Sequence, residues 1–125
     1  MAPSPLVAGV DIATAEVRVA VAAGDGRVLA RAAAPLAAPH RPAPGVSKQD
    51  AGSWWPAVTR ALGRALAGID GQVVAVAVSA TSGTVVLADR HGEPVGPALL
   101  YDDSRAPAPE PVSYTHLTLP TTERV

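Results

Sequence analysis

Between Ser47 and Gly71 the apolar residues of this chain change period, and that change restricts the fold more than any other feature. Before it, "EVRVAV" alternates: Val17, Val19 and Val21 lie on one face, Glu16, Arg18 and Ala20 on the other. That period of two belongs to a half-buried strand. Within "SKQDAGSWWPAVTRALGRALAGIDG", Trp55, Val58, Leu62, Leu66 and Ile69 recur at steps of three and four, the stripe of an amphipathic helix. "VVAVAVS" (Val73 to Ser79) is then apolar throughout, as in a central strand covered on both faces. A connection holding a helix is long enough for a parallel crossover, which is right-handed. A mixed α/β sheet is predicted.

The remaining elements fit around this unit. "LVAGVDIAT" (Leu6 to Thr14) is a nearly continuous apolar run, read as a strand buried on both faces with Asp11 near its carboxyl end. Asp25-Gly26 is a hairpin signal, and "VLARAAA" returns as a third strand. Pro35, Pro39, Pro42 and Pro44 make the stretch to Gly45 an irregular surface connection. Asp50 is placed to cap the helix, Pro56 is tolerable in its first turn, and Gly68 or Gly71 closes it. "TVVLAD" and "VGPALLY" flank a second hairpin turning near His91-Gly92. The predicted order is β-β-β-α-β followed by a hairpin.

Composition excludes several classes of function. A chain of 125 residues with 48% hydrophobic and 17% charged residues and a net charge of -1 is one globular domain, without the basic excess that nucleic acid attracts. It has no cysteine, so disulfides, thiolate metal sites and cysteine nucleophiles are ruled out. The N-terminal apolar run lacks a basic n-region and is broken by Asp11, Glu16 and Arg18, so neither a secretory signal nor a membrane span is expected and a cytoplasmic location is. His40, His91 and His116 lack metal-ligand spacing, and neither a P-loop nor GxGxxG is present.

Three stretches carry residues suited to chemistry. In "GVDIAT" (Gly9 to Thr14), a carboxylate at a strand end followed by a tight turn can hold Mg²⁺ through water while turn amides and a Thr hydroxyl meet phosphate; the plain alternative is an Asp that forms the turn. "SATSGT" (Ser79 to Thr84) puts hydroxyls at the carboxyl end of a central strand, where open α/β sheets bind ligands, although Ser, Thr and Gly are also ordinary loop residues. "YDDSRA" (Tyr101 to Ala106) combines two acids, a hydroxyl and an arginine, with a solvated Asp–Arg pair as the bland reading.

Together these pieces resemble the N-terminal part of the FGGY carbohydrate kinases. The resemblance rests on "GVDIAT", "GDGRVLARAAAPL", "PGVSKQDAGSWWPAVTRAL" and "VAVAVSATSGTVVLADRHGEPVGPALLYDDSRA", over about residues 6–106. It implies a ribonuclease H-like (actin/hexokinase-type ATPase) fold with an incomplete N-terminal domain, residues 6–110, after a disordered N-terminus at 1–5. It further implies transfer of the γ-phosphoryl group of ATP, with Mg²⁺, to a sugar or polyol hydroxyl. A small-molecule sugar is then the partner, with nucleic acid and membrane excluded, and homodimerisation is allowed in the full-length protein. By position, Asp11 would hold Mg²⁺-ATP with Thr14 near the phosphates; Thr81 and Ser82 would contact the sugar, with Asp103 and Arg105 beside it. The family's catalytic aspartate lies farther along than this sequence runs, so this polypeptide is expected to be inactive by itself. "SATSGT" lacks the Met-His pair of xylulokinases and the Arg-Glu pair of glycerol kinases and looks more like a ribulokinase-type or uncharacterised sugar-kinase branch, a ketopentose such as ribulose or xylulose being favoured. Ala13 stands where the family has Gly; a turn requiring positive φ there would be strained by its Cβ. A non-catalytic actin-like module that binds sugar or a partner is the alternative, with Ala13 as its support.

The composition shifts after Pro111. "VSYTHLTLPT" (Val112 to Thr121) reads as the translation of a transposon-based sequencing adapter, every residue matching in one frame. Residues 111–125 are therefore expected to be a non-native tail without function.

Overall fold

The structure, a computed structural model, describes residues 4–106; the reading of residues 111–125 as non-native lies outside them. Three strands, β1 (Pro5–Ile12), β2 (Glu16–Ala23) and β3 (Val28–Pro35), form an antiparallel meander. Tight turns dictate it. The Ala13 amide donates to Glu16 O at 3.0 Å across the first. Across the second, Gly26 donates to Ala23 O at 2.9 Å and takes φ 89°, which a residue without Cβ adopts at little cost. The Pro-rich connection then leads to β4 (Lys48–Gln49), a single 3-10 turn (Ala51–Ser53), α1 (Trp54–Leu66), β5 (Gln72–Ala80) and β6 (Ala98–Leu99). β5 joins the meander parallel to β1, giving the order β3-β2-β1-β5, while β4 and β6 pair separately.

The core lies between the meander and α1. Leu6, Ala8 and Val10 of β1, Val17, Val19 and Val21 of β2 and Ala34 of β3 face Ala57, Val58, Ala61 and Ala65 of α1. Alanines on both sides let helix and sheet approach closely, and each fully buried Val or Leu contributes about 1.5–3 kcal/mol. Asp50 caps the 3-10 turn, its carboxylate accepting from Gly52 N at 2.9 Å. Pro56 falls in the first turn of α1, and Gly68 leaves the helix at φ 75°.

Four expectations need correction. Trp55 is 70% exposed, and Trp54 packs on the core in its place, because the buried stripe of α1 is written mainly in alanine and is shifted by one position. Among the described residues β5 is an end strand of the main sheet and not a central one, with Val74, Val76 and Val78 between 53% and 65% exposed, since α1 packs across β2 and β3. β1 is covered on one face only, Val7 and Gly9 lying exposed on the other. Order begins earlier than residue 6: β1 starts at Pro5, and Ser4 O accepts from Gln72 N at 2.9 Å. The second hairpin turns at Gly92 as predicted, with arms joined by isolated bridges (Ala88 to Pro94, Val85 to Leu99) in place of long strands.

Candidate functional site

β1 and β5 run parallel and end together, Ile12 beside Ala80. The Ala13–Ala15 turn and the Thr81–Thr84 loop therefore emerge side by side at the carboxyl ends of neighbouring strands, the usual place for a ligand in an α/β sheet. Between them is a cavity of about 140 Å³ lined by Thr14, Thr81, Thr84, Gln49 and Trp54, with Ile12, Ala13, Ala80 and Leu100 completing the wall. Thr84 Oγ1 is buried and has no hydrogen-bond partner among the described residues. A buried hydroxyl left unpaired costs about 1–3 kcal/mol, so the cavity wall offers an unused polar contact to whatever enters.

Gln49 holds the cavity together. Only 3% exposed, it donates through Nε2 to Thr14 O and Ala37 O, both at 2.8 Å, and accepts from Trp54 Nε1 at 2.9 Å. One side chain thus ties the β1–β2 turn and the Pro-rich connection to the first residue of α1.

Asp11 sits on the opposite side of the end of β1. It belongs to a row across the sheet, between its register partners Arg18 and Ser79. Arg18 Nη2 donates to its carboxylate at 2.6 Å and Ser79 Oγ at 3.1 Å. The Arg18 guanidinium first, then the Ser79 hydroxyl, holds the carboxyl below its ordinary 3.8, so Asp11 is an anion at neutral pH. This group lines a second hollow of about 760 Å³ on the open face of the sheet, with Glu16 and Arg31 at its rim.

The structure thus brings Thr14 and Thr81 together and puts Asp11 around the strand end from them. Ser82 is exposed in the turn outside the cavity. Its neighbour Gly83 takes φ 80°, and a Cβ there would stand 3.3 Å from Tyr101 Cβ. Asp103 and Arg105 line neither hollow. Asp103 accepts from Ser47 N at 3.0 Å and from Arg105 Nη2 at 2.7 Å, a clamp on the loop before β4. The Arg105 guanidinium, then the Ser47 amide, holds the Asp103 carboxyl well below the usual carboxylate range. Sequence reading missed Gln49, Trp54 and Thr84, each of which stood inside a quoted motif. Gln49 stands five residues before Trp54, and no local pattern marks it.

The Ala13 turn is compatible with its residue, since no non-glycine residue among those described has positive φ. The Thr14 and Ala15 amides donate to no other group among the described residues. A hydroxyl and free turn amides suit a phosphate group, and an ionised carboxylate suits a cation that accompanies it. No cluster of three or more His, Cys, Asp or Glu able to hold a metal ion occurs among the described residues, nor any helix there long and apolar enough to cross a membrane.

Comparison with known proteins agrees with this geometry. Residues 6–110 match the N-terminal domain of the FGGY family of carbohydrate kinases. The chain is 36% identical over 105 residues to an apulose kinase of Pectobacterium atrosepticum, covering 82% of this chain and 21% of that protein. It is 37% identical over 107 residues to a xylulose kinase of Streptomyces rubiginosus, covering 84% of this chain and 21% of that protein. These relatives are named for xylulose and apulose, whereas the Ser79–Thr84 loop alone resembled a ribulokinase-type or uncharacterised sugar-kinase branch. In fold, the chain is similar to the crystal structure of xylulose kinase from Rhodospirillum rubrum, with a TM-score of 0.72 at 22% identity, covering 94% of this chain and 25% of that one. With the match extending through nearly all the described residues and the hydroxyl-lined cavity at the strand ends, the chain belongs to the FGGY family of carbohydrate kinases.

Proposed function

We propose that this chain forms the sugar-facing wall of an ATP-dependent kinase that phosphorylates a ketopentose such as xylulose. The observation that carries the reading is the unpartnered Thr84 hydroxyl in a cavity also lined by Thr14, Thr81 and Gln49. A polyol supplies donors and acceptors that match such a wall, and an apolar ligand would leave it unpaired. The residues lining the cavity include no titratable side chain, so the proton of the attacking hydroxyl has to be taken by a group outside them. Since the chain spans 21% of the length of the curated relatives it matches, the isolated polypeptide is proposed to bind without turnover.

Asp11, Thr14 and the free turn amides fit the phosphate end of the nucleotide. Mg²⁺ would be carried by the phosphates and held by Asp11 through water, the single carboxylate being too few for a dedicated cage. When bound, the ion neutralises charge on the phosphates. Asp11 is kept ionised for that contact, and Arg18 and Ser79 fix its direction.

The test is a titration of the isotopically labelled polypeptide with xylulose, and separately with Mg²⁺-ADP, followed by amide NMR. Xylulose is expected to move the Thr14, Thr81 and Thr84 signals, and Mg²⁺-ADP those of Asp11 to Ala15. Absence of any sugar-dependent shift at Thr81 and Thr84 would refute the assignment.

A further inference from the structure

β4 and β6 are two residues each, and a two-stranded pairing that short is marginal by itself. Yet one wall of the hydroxyl-lined cavity is built on them. Lys48 pairs with Leu99 and Gln49 with Ala98, while Leu99 exchanges backbone hydrogen bonds with Val85 at 2.8 and 2.9 Å. Gln49, Leu100 and Thr84, which line the cavity, therefore belong to three laterally joined segments from distant parts of the chain. A contact outside these short pairings has to fix where the segments stand.

Asp103 supplies it. Its side chain is 5% exposed, and both carboxylate oxygens are engaged. Oδ2 accepts from Ser47 N at 3.0 Å and Arg105 Nη2 at 2.7 Å, and Oδ1 from Arg105 N at 3.2 Å and Nε at 3.0 Å. Ser47 O accepts from Leu100 N at 3.0 Å, and Ser104 N donates to Gly45 O at 2.9 Å. Gly45 takes φ 79°, and a Cβ there would stand 2.9 Å from Ser104 Oγ, so this close approach requires glycine. Arg41 Nη2 adds a tie to Asp102 at 3.0 Å, but both side chains are partly exposed, where an ion pair contributes little.

We infer that Asp103 is a positioning residue for the cavity: without lining it, the carboxylate sets β4 against β6 and so holds Gln49, Leu100 and Thr84 in place for the sugar. The link runs from Asp103 to the Ser47 amide, and from there two residues along β4 to Gln49, which holds Thr14 and Trp54. A charged acceptor suits the task, since hydrogen bonds to an ionised carboxylate are roughly twice as strong as neutral ones. The effect on sugar rests on the ketopentose reading above; the alignment of the wall does not.

The test compares the labelled 125-residue polypeptide with three variants. Asp103→Ala removes the acceptor, Asp103→Asn keeps one for the Ser47 amide, and Gly71→Ala strains the far end of β1, against Ser4 and Leu6. Hydrogen exchange at Trp54 Nε1 and Gln49 Nε2 reads the wall without any ligand. Relative to the amides of β1, β2 and β3, Asp103→Ala is expected to speed both by about tenfold and Asp103→Asn by less. Xylulose, followed at Thr81 and Thr84, should bind Asp103→Ala about tenfold more weakly, a loss equal to one typical hydrogen bond, and Gly71→Ala as tightly as the parent. Unchanged exchange in Asp103→Ala, an equal rise in Gly71→Ala, or faster exchange with no weakening of xylulose overturns the inference. So does Asp103→Asn if it matches Asp103→Ala in both readouts. Should Asp103→Ala not fold, Asp103→Asn against the parent decides by the same measurements. If xylulose moves no signal in the parent, the ketopentose reading falls and exchange alone decides the role of Asp103.

Discussion

Replacing Gln49 by methionine keeps the volume of the side chain and removes all three of its hydrogen bonds, to Thr14 O, Ala37 O and from Trp54 Nε1. A typical intramolecular hydrogen bond contributes about 0.5–1.5 kcal/mol net, and a partner left buried without water costs about 1–3 kcal/mol. Thr14 and Trp54 line the 140 Å³ cavity, so water can reach part of the broken network, whereas Gln49 itself is 3% exposed. The three bonds together then set the expected loss at about 2–4 kcal/mol, a large share of the ~5–15 kcal/mol that holds a domain together. Urea unfolding followed by far-UV circular dichroism measures it, with Gln72→Met at an exposed position as the control. In a Trp54→Phe background, which already lacks the indole donor, the same change should cost about 1 kcal/mol less. A loss below about 1 kcal/mol, or a loss identical in both backgrounds, would show that Gln49 does not tie the turn to the helix.

Three further outcomes are expected. Gly71→Ala should destabilise by more than about 2 kcal/mol in the same assay, since φ is 143° and a Cβ would lie 2.8 Å from both Leu6 Cγ and Ser4 O. Asp11 titrates below 3.8 because Arg18 and then Ser79 favour its anion, so its stabilising contribution is present above the unfolded pKa and is lost as pH falls through the lower folded value. Arg18→Leu should move the Asp11 carboxyl resonance titration up toward 3.8, and an unchanged midpoint would remove Arg18 as the cause. Thr84→Val, which deletes an unpaired buried hydroxyl, should hold or raise stability by about 1 kcal/mol while abolishing the xylulose response at Thr81; a stability loss would mean that the hydroxyl is paired in solution.

The meander and its turns were legible because local chemistry decides them: Asp25-Gly26 allows one backbone geometry, and the valines of β2 alternate without interruption. The helix was legible in extent and misread in phase, since Trp54 and Trp55 are equally apolar and the alanines that settle the question carry little hydropathy signal. β5 looked central because its composition suits cover on both faces, a property that packing alone confers. Gln49 could not be recognised locally, as its partners come from residues 14, 37 and 54 and meet only in the folded chain. Within the Ser79–Thr84 loop, which hydroxyl faces the cavity depends on the backbone reversal at Gly83, so Ser82 lies exposed outside it while Thr84 lines it.

β1 and β5 are neighbours in space, Leu6 beside Val73 and Ile12 beside Ala80, although the rest of the meander, the Pro-rich segment and α1 lie between them in the chain. Closing that long loop costs entropy before its contacts repay any of it, while β1, β2 and β3 zip through turns of a few residues. β5 is accordingly expected to dock after the three meander strands and to detach before them, with hydrogen exchange faster in it than in β1, β2 and β3. Thr14 and Thr81 belong to segments that part when it leaves. A molecule bridging them acts as a clasp on the late-arriving strand, so occupancy of the cavity and completion of the sheet rise and fall as one equilibrium.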